Sequence, residues 1–258
     1  MKHCPPKDKS DFCFLIVPPF AEEANKSRHQ LSLLMAGLKE QGISSVLFDF
    51  FGTGESEGSF EQSSVASYLA DFQTVFEWCS KKYQQVSVLG IRLGALLSLV
   101  AVEQFNLPVQ KWVAWQPQFN GKQVLNQFFR LRIAGEMAAG GKVTSSDIQH
   151  ELDDLGSSEI AGYRVSKQLA RELEQANADN LGANSLTGIK GLLVMEVSNA
   201  ENASLTPVNG KVVDRFRAIK LPVESSVVPG NQPWATQEIT ENQHLIGATI
   251  EFLSRAGA

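Results

Sequence analysis

The fold class predicted by the sequence is α/β, a mainly parallel sheet with helices on both faces and an inserted helical cap. Two observations carry the prediction. Short, unbroken runs of β-prone apolar residues alternate with longer stretches whose apolar positions recur at steps of three and four. Strand, helix, strand, helix at that spacing calls for parallel strands joined by right-handed crossovers. The rhythm lapses once, from about Gln116 to Leu186, and then resumes. The expected division is therefore a core of residues 1–115 and 187–258 with a helical insertion at 116–186.

Phe12 to Val17 reads as a strand buried on both faces and stopped by Pro18 and Pro19, which cannot donate to a ladder. Asn25 or Ser27 is suited to cap the helix that follows, in which Leu31, Leu34, Met35 and Leu38 share one face and Gly42 suits the C-terminal turn. Ser45 to Phe50 is the second strand and runs into the turn-rich Gly52 to Gly58. Val65, Leu69, Phe72, Phe76 and Cys79 stripe the second helix. Val86 to Leu89 enters Gly90-Ile91-Arg92-Leu93-Gly94, and the apolar run to Val102 is long enough for a buried helix. Lys111 to Trp115 is the fourth strand. Inside the insertion, Phe128 to Leu131 and Val165, Leu169 and Leu173 point to helices. Gly191 to Val197 and Val223 to Val228 restore the strands, and about Thr236 to Arg255 forms the last helix.

With 43% apolar and 20% charged residues in 258, the chain has matter for a sizeable core and is neither disordered nor fibrous. Its formal charge is −5 without a basic stripe, which argues against nucleic acid as a partner. Three cysteines, Cys4, Cys13 and Cys79, make no disulfide framework and no C-x-x-C site, so a reducing cytoplasm is expected. The charged Met1 to Asp11 and the short Leu93 to Val102 run predict neither signal peptide nor membrane anchor. Gly52 and Gly54 lack P-loop spacing, and Glu151, Asp153 and Asp154 lack that of a calcium loop; a turn and a solvated surface are the readings. No metal or cofactor is expected.

Pro18 to Glu23 after the first strand, Asp49 to Ser56 after the second, and the strand-to-helix elbow Gly90 to Gly94 together resemble the α/β-hydrolase superfamily over nearly the whole chain. More narrowly, Pro18-Pro19-Phe20-Ala21-Glu22-Glu23-Ala24-Asn25-Lys26-Ser27-Arg28, Gly90-Ile91-Arg92-Leu93-Gly94-Ala95, Trp115-Gln116-Pro117 and Asn120-Gly121-Lys122-Gln123 resemble the exosortase A system-associated hydrolases of the second type. That resemblance implies a setting near exopolysaccharide and protein-sorting functions of Gram-negative bacteria. It also implies a nucleophile at the centre of the elbow, a histidine in the loop after the last strand, and an acid after the strand ending near Val197.

The residues at those positions do not fit the chemistry. The elbow centre is Arg92, whose guanidinium has no acceptor and stays protonated, so it cannot attack a carbonyl. The base loop, Pro229 to Trp234, holds no histidine and places Trp234 near the base position. His3, His29, His150 and His244 lie elsewhere, and Glu201 is the carboxylate at the acid position. No residue is therefore assigned a catalytic role. Arg92 at a helix N-terminus opposes the helix dipole by about 0.3–1 kcal/mol, so Glu22, Glu23 or an anionic ligand should compensate it. The candidate ligand-binding set is Arg92, Leu93, Phe20, Ala21, Glu22, Glu23, Gln116, Asn120 and Trp234. The N–H groups of Leu93 and of Phe20 or Ala21 are the surviving oxyanion positions, and their plain alternative is ordinary helix-start bonding. Gln116 and Asn120 are equally turn formers, Lys122 a surface group, and Trp234 a hydrophobic plug. The apolar stretch Gln127 to Ile133 either lines the pocket or pairs with another subunit as a homo-oligomer. Two functions stay open: a non-catalytic pseudoenzyme holding an anionic or acyl small molecule, and a hydrolase, esterase or acyl-processing enzyme with an atypical site.

Overall fold

The computed structural model describes residues 1–182 and 186–255. Residues 183–185 of the expected insertion and 256–258 of the expected core lie outside the described residues. Nine strands are described: β1 (Lys2–Cys4), β2 (Phe12–Val17), β3 (Ser44–Leu47), β4 (Gln85–Ile91), β5 (Val109–Trp115), β6 (Ser157–Ile160), β7 (Tyr163–Ser166), β8 (Leu192–Val197) and β9 (Val223–Val228). Eight α-helices are described: α1 (Glu22–Glu40), α2 (Val65–Lys82), α3 (Leu93–Phe105), α4 (Gly121–Ala138), α5 (Ser145–Leu155), α6 (Lys167–Gln175), α7 (Pro207–Ala218) and α8 (Gln243–Ser254). Seven strands form one sheet in the order β1-β3-β2-β4-β5-β8-β9, parallel throughout except for β1.

Strand alternation sorts the core into two layers. Cys13, Leu15 and Val17 of β2 face α2, α3 and α7 on one side, with Val88, Trp112 and Val194. Phe14 and Ile16 face α1 and α8 on the other, with Ile91, Val113 and Met195. Helix α3 is buried almost all round, which explains its continuous apolar sequence. Within the sheet, the Trp112 indole donates to Ser98 Oγ and the Trp115 indole to Thr249 Oγ1, both at 2.9 Å. Each strand tryptophan is thus satisfied by a hydroxyl of a helix packed on its face.

Several boundaries differ from expectation, each for a local reason. Helix α1 starts at Glu22 rather than near Asn25 or Ser27, because the chain turns at Ala21 with φ 52° and places two carboxylates in the first turn. Ladder pairing of β3 ends at Leu47, since Asp49 turns away to hold the following loop by accepting from Glu55 N and Arg28. Helix α8 begins only after Asn242, whose side chain accepts from Leu245 N at 3.1 Å. The edge strand β1 has three residues, too few for an alternation to show. Helix α7 went unpredicted, although Pro207 stands in its first turn. The segment between β5 and β8 is not wholly helical: it contains the antiparallel hairpin β6–β7 besides α4, α5 and α6. Among the described residues, no helix is long and apolar enough to cross a membrane.

The elbow glycines are fixed by sterics. A Cβ on Gly94 would lie 2.5 Å from the Pro18 carbonyl oxygen, and one on Gly90 2.3 Å from the Ala95 Cα. Gly94→Ala should therefore cost about 2–3 kcal/mol in urea denaturation. Gly135→Ala, in exposed helix with nothing within 4 Å, should gain about 0.5–1 kcal/mol. Equal effects of the two would refute this account of the elbow packing.

Candidate functional site

The site lies at the carboxyl ends of the parallel strands, where such sheets leave a crevice. Strand β4 ends at Ile91 and the chain reverses into α3 through Arg92, which adopts φ 56° and ψ −119°. A non-glycine residue there is strained, and the surroundings must hold it. They do so through the backbone: Arg92 N donates to the Trp115 carbonyl at 3.0 Å, and Gln118 N donates to the Arg92 carbonyl at 3.1 Å.

The guanidinium is engaged. Arg92 Nε donates to Glu23 Oε1 and Oε2 at 3.2 and 3.3 Å, and Nη2 donates to Oε1 at 3.0 Å. Nη1 donates to the Gln116 carbonyl at 3.4 Å. The side chains are 16% and 30% exposed, so the pair is substantially shielded from water. Glu23 sits in the first turn of α1, where helix dipole and guanidinium both favour its charge. Of the two carboxylates proposed to compensate Arg92, it is Glu23 that does so.

Glu22 serves a different contact. Its Oε2 accepts from Tyr163 Oη and Asn25 Nδ2, each at 3.1 Å, which ties α1 to the β6–β7 hairpin. Burial, with Glu22 alongside, pushes the Tyr163 phenol up to about 12, so it remains a proton donor to that carboxylate. Around this tie Phe20, Phe60, Phe128 and Tyr163 make edge and tilted ring contacts with centroids 4.9–6.1 Å apart. The aromatic cluster joins the Phe20 loop to α4 and the hairpin.

Beside the cluster is a cavity of about 380 Å³, within the size range of small-molecule sites. Phe20, Val124, Phe128 and Leu131 supply apolar wall; Glu22, Glu23, Lys26, Gln118 and Trp234 supply polar groups. Trp234 is 2% exposed, and its indole N–H has no hydrogen-bond partner. Gln118 donates from Nε2 to Gln127 Oε1 at 2.6 Å, while its own Oε1 is buried and without a partner. The expected plug Trp234 is therefore buried beside the cavity, with its indole donor unpaired.

Other expected site residues are placed elsewhere. Ala21 and Leu93 line a separate hole of about 10 Å³ with Phe20. Arg92 is behind Glu23 and is not part of the larger cavity's wall. Gln116 Oε1 accepts from Val197 N at 2.7 Å, stitching β5 to β8. Asn120 Oδ1 accepts from Gln123 N at 3.0 Å and caps α4. Neither lines the cavity, so both are read as structural.

No imidazole stands opposite Arg92. His150 and His244 are exposed, and His29 pairs at the surface with Glu241 at 2.8 Å. His244 lies in the first turn of α8 because that helix starts late. Glu201 is exposed. The buried carboxylate near the end of β8 is instead Glu196, which accepts from Thr206 N and Thr206 Oγ1 at 2.7 Å and from Asn209 Nδ2 at 2.5 Å. Those bonds anchor the start of α7. Sequence reasoning passed over Lys26, Gln118 and Glu196; Gln118 alone carried a signal, its place just beyond a strand end.

Residues 10–184 match the family model Hydrolase_4, described as serine aminopeptidase, S33. No curated protein matches the sequence. Among solved structures, the chain is similar to Est1E from Butyrivibrio proteoclasticus with ferulic acid bound, at TM-score 0.69 and 14% identity over 98% of this chain and 92% of that one. It is similar to a soluble variant of monoglyceride lipase from Saccharomyces cerevisiae in complex with a substrate analog, at 0.58 and 14% over 97% and 87%. It is also similar to mouse alpha/beta hydrolase domain-containing protein 10, at 0.55 and 14% over 98% and 92%. At these identities the likeness establishes the α/β-hydrolase fold.

The Arg92–Glu23 pair should behave as one unit. Arg92→Met and Glu23→Met should each lose about 1–3 kcal/mol by leaving a shielded charge unpaired, and the double variant should recover most of that loss. Additive losses in a urea double-mutant cycle would mean that the pair is not coupled.

Proposed function

Since the chain belongs to the serine aminopeptidase S33 family of α/β-hydrolases, we infer that it is a non-catalytic member that binds a small acyl or anionic compound. The observation that carries this reading is the Arg92 guanidinium on the Glu23 carboxylate at the elbow. In this reading the elbow lacks the usual serine. A residue permanently protonated and already paired offers no lone pair for attack, and no histidine is placed to accept a proton. What persists is a backbone scaffold and a cavity lined by apolar and polar side chains. Residues 116–186 act in this reading as a cap, joined to the core through Glu22–Tyr163 and the aromatic cluster. The same segment leaves Leu131 and Met137 exposed as the places where copies of the chain would meet.

The setting we propose is that of exosortase and exopolysaccharide systems, supported by the Pro18 to Arg28, Gly90 to Ala95 and Trp115 to Gln123 segments. Three cysteines and no disulfide framework support a cytoplasmic place of action. The second reading, a hydrolase with an atypical site, is favoured by the family match and by the likeness to a protein named as a monoglyceride lipase. Esters are the class it would act on.

A fluorophosphonate probe and a panel of short acyl esters separate the two. The binding reading expects no labelling and no turnover above buffer. Labelling of the wild-type chain, or turnover that survives Arg92→Ala, establishes the hydrolase. Arg92→Ser alone should also stay far below ordinary esterase rates, because proton transfer contributes about 10²–10⁴-fold and has no base here. Activity rising to those rates would refute the account of the missing base.

A further inference from the structure

We propose that residues 235–241 form a movable strap between two hollows, latched by the His29–Glu241 pair, and that its displacement joins the hollows into one elongated cleft. The movement is inferred from the loop itself; what it admits rests on the reading of the larger cavity as a binding site. The strap is the exposed part of a loop, residues 229–242, that links β9 to α8 without helix or strand. Its neck is closed. Asn242 is buried and donates from Nδ2 to the carbonyls of Pro229 and Asn231 at 3.1 and 2.9 Å, so one side chain holds both ends of the loop together. Gln30 of α1 secures the same residue twice, donating to its carbonyl at 2.8 Å and accepting from its N–H at 2.9 Å. Before the strap, Pro233 and Trp234 are buried. A surface loop with joined ends can swing its tip while the flanking strand and helix stay in place.

The tip is held loosely. Thr236 Oγ1 bonds within the segment, to the Glu238 carbonyl and Thr240 Oγ1. Ile239 is 78% exposed, so apolar burial does not fasten it. Among the described residues, one hydrogen bond or ion pair links residues 235–241 to a part of the chain outside the loop and the helix that follows it. That link is His29 Nε2 to Glu241 Oε1 at 2.8 Å, with both side chains nearly half-exposed. An exposed pair of this kind shifts an equilibrium by about two- to fivefold. A segment so sparsely attached opens at far lower cost than the core.

The strap is also a partition. Ala235 and Gln237 stand on the wall of the cavity of about 380 Å³ described above. Gln237, with Thr236, Glu238 and Ile239, stands on the wall of a second hollow, also of about 380 Å³. Glu22 and Lys26 of α1 belong to both walls. With the strap displaced, these two residues are left as the shared floor and the hollows run together. The strap in place suits a short ligand, and its displacement a longer one.

The test is a pulsed electron-resonance distance measurement on the full chain, with nitroxides on Glu238→Cys in the strap and Glu77→Cys on the exposed face of α2. Cys4 is replaced by Ser, while Cys13 and Cys79 are buried. Two separations are expected. His29→Ala, or salt at about 1 M in the parent chain, should raise the proportion of the displaced form by about two- to fivefold. The thermal melt should stay that of the parent. The uncharged dye Nile red should brighten on binding and enrich the displaced form further. A single separation, unchanged by variant, salt and dye, would overturn the strap; two separations indifferent to His29→Ala and to salt would overturn the latch. A dye that stays dark would tell against the binding reading of the cavity, and the response to His29→Ala and salt would still decide the strap.

Discussion

An ion pair stands at the tight turn between β4 and α3. Arg92 occupies a strained turn at the positive end of α3, which taken alone is a poor place for a cation. Glu23 resolves the conflict at a distance of 69 residues along the chain. It does so from the first turn of α1, whose dipole favours its charge in turn. The two helix starts are thereby clamped across the crevice, and the chemistry of the crevice follows from that clamp. A guanidinium committed to a carboxylate and a main-chain carbonyl has few donors left for an incoming anion.

The cavity beside the clamp depends on it indirectly. Glu23 is a wall residue held by Arg92, while its neighbour Glu22 reaches the other way, to Tyr163 of the β6–β7 hairpin. Adjacent carboxylates thus fasten the start of α1 to the elbow and to the segment covering it. The aromatic contacts of Phe20, Phe60, Phe128 and Tyr163 fill the join. One ion pair, one carboxylate–phenol hydrogen bond and interlocked rings thus frame the cavity.

Much of this was legible in the sequence, and the rest was not for identifiable reasons. The parallel sheet announced itself because strands buried on both faces read as continuous apolar runs, as Phe12 to Val17 and Trp112 to Trp115 do. Helix starts were legible only where a side chain does the capping. Asn242 could be weighed in that way, but Ala21 caps α1 with backbone alone and carries no compositional mark. The hairpin in the insertion has four-residue strands, too short for an alternation to stand out. In the site, the elbow was visible because Gly90 and Gly94 are required by close backbone contacts. Whether Glu22 or Glu23 meets Arg92 was not, since adjacent residues at a helix start differ by about 100° in direction. Gln118 and Lys26 come together on one cavity wall from distant parts of the chain, and local spacing in a sequence does not show that.

The elbow's backbone is secured from outside its own side chain. Main-chain bonds from Arg92 N to Trp115 O and from Gln118 N to Arg92 O, with a glycine on either flank, define its path. Shape and reactivity at this position are consequently separable properties. A lineage built on such a turn can exchange the tip for a residue of opposite chemical character in one substitution and still inherit a folded, ligand-sized chamber, so that new binding roles become reachable without a new architecture.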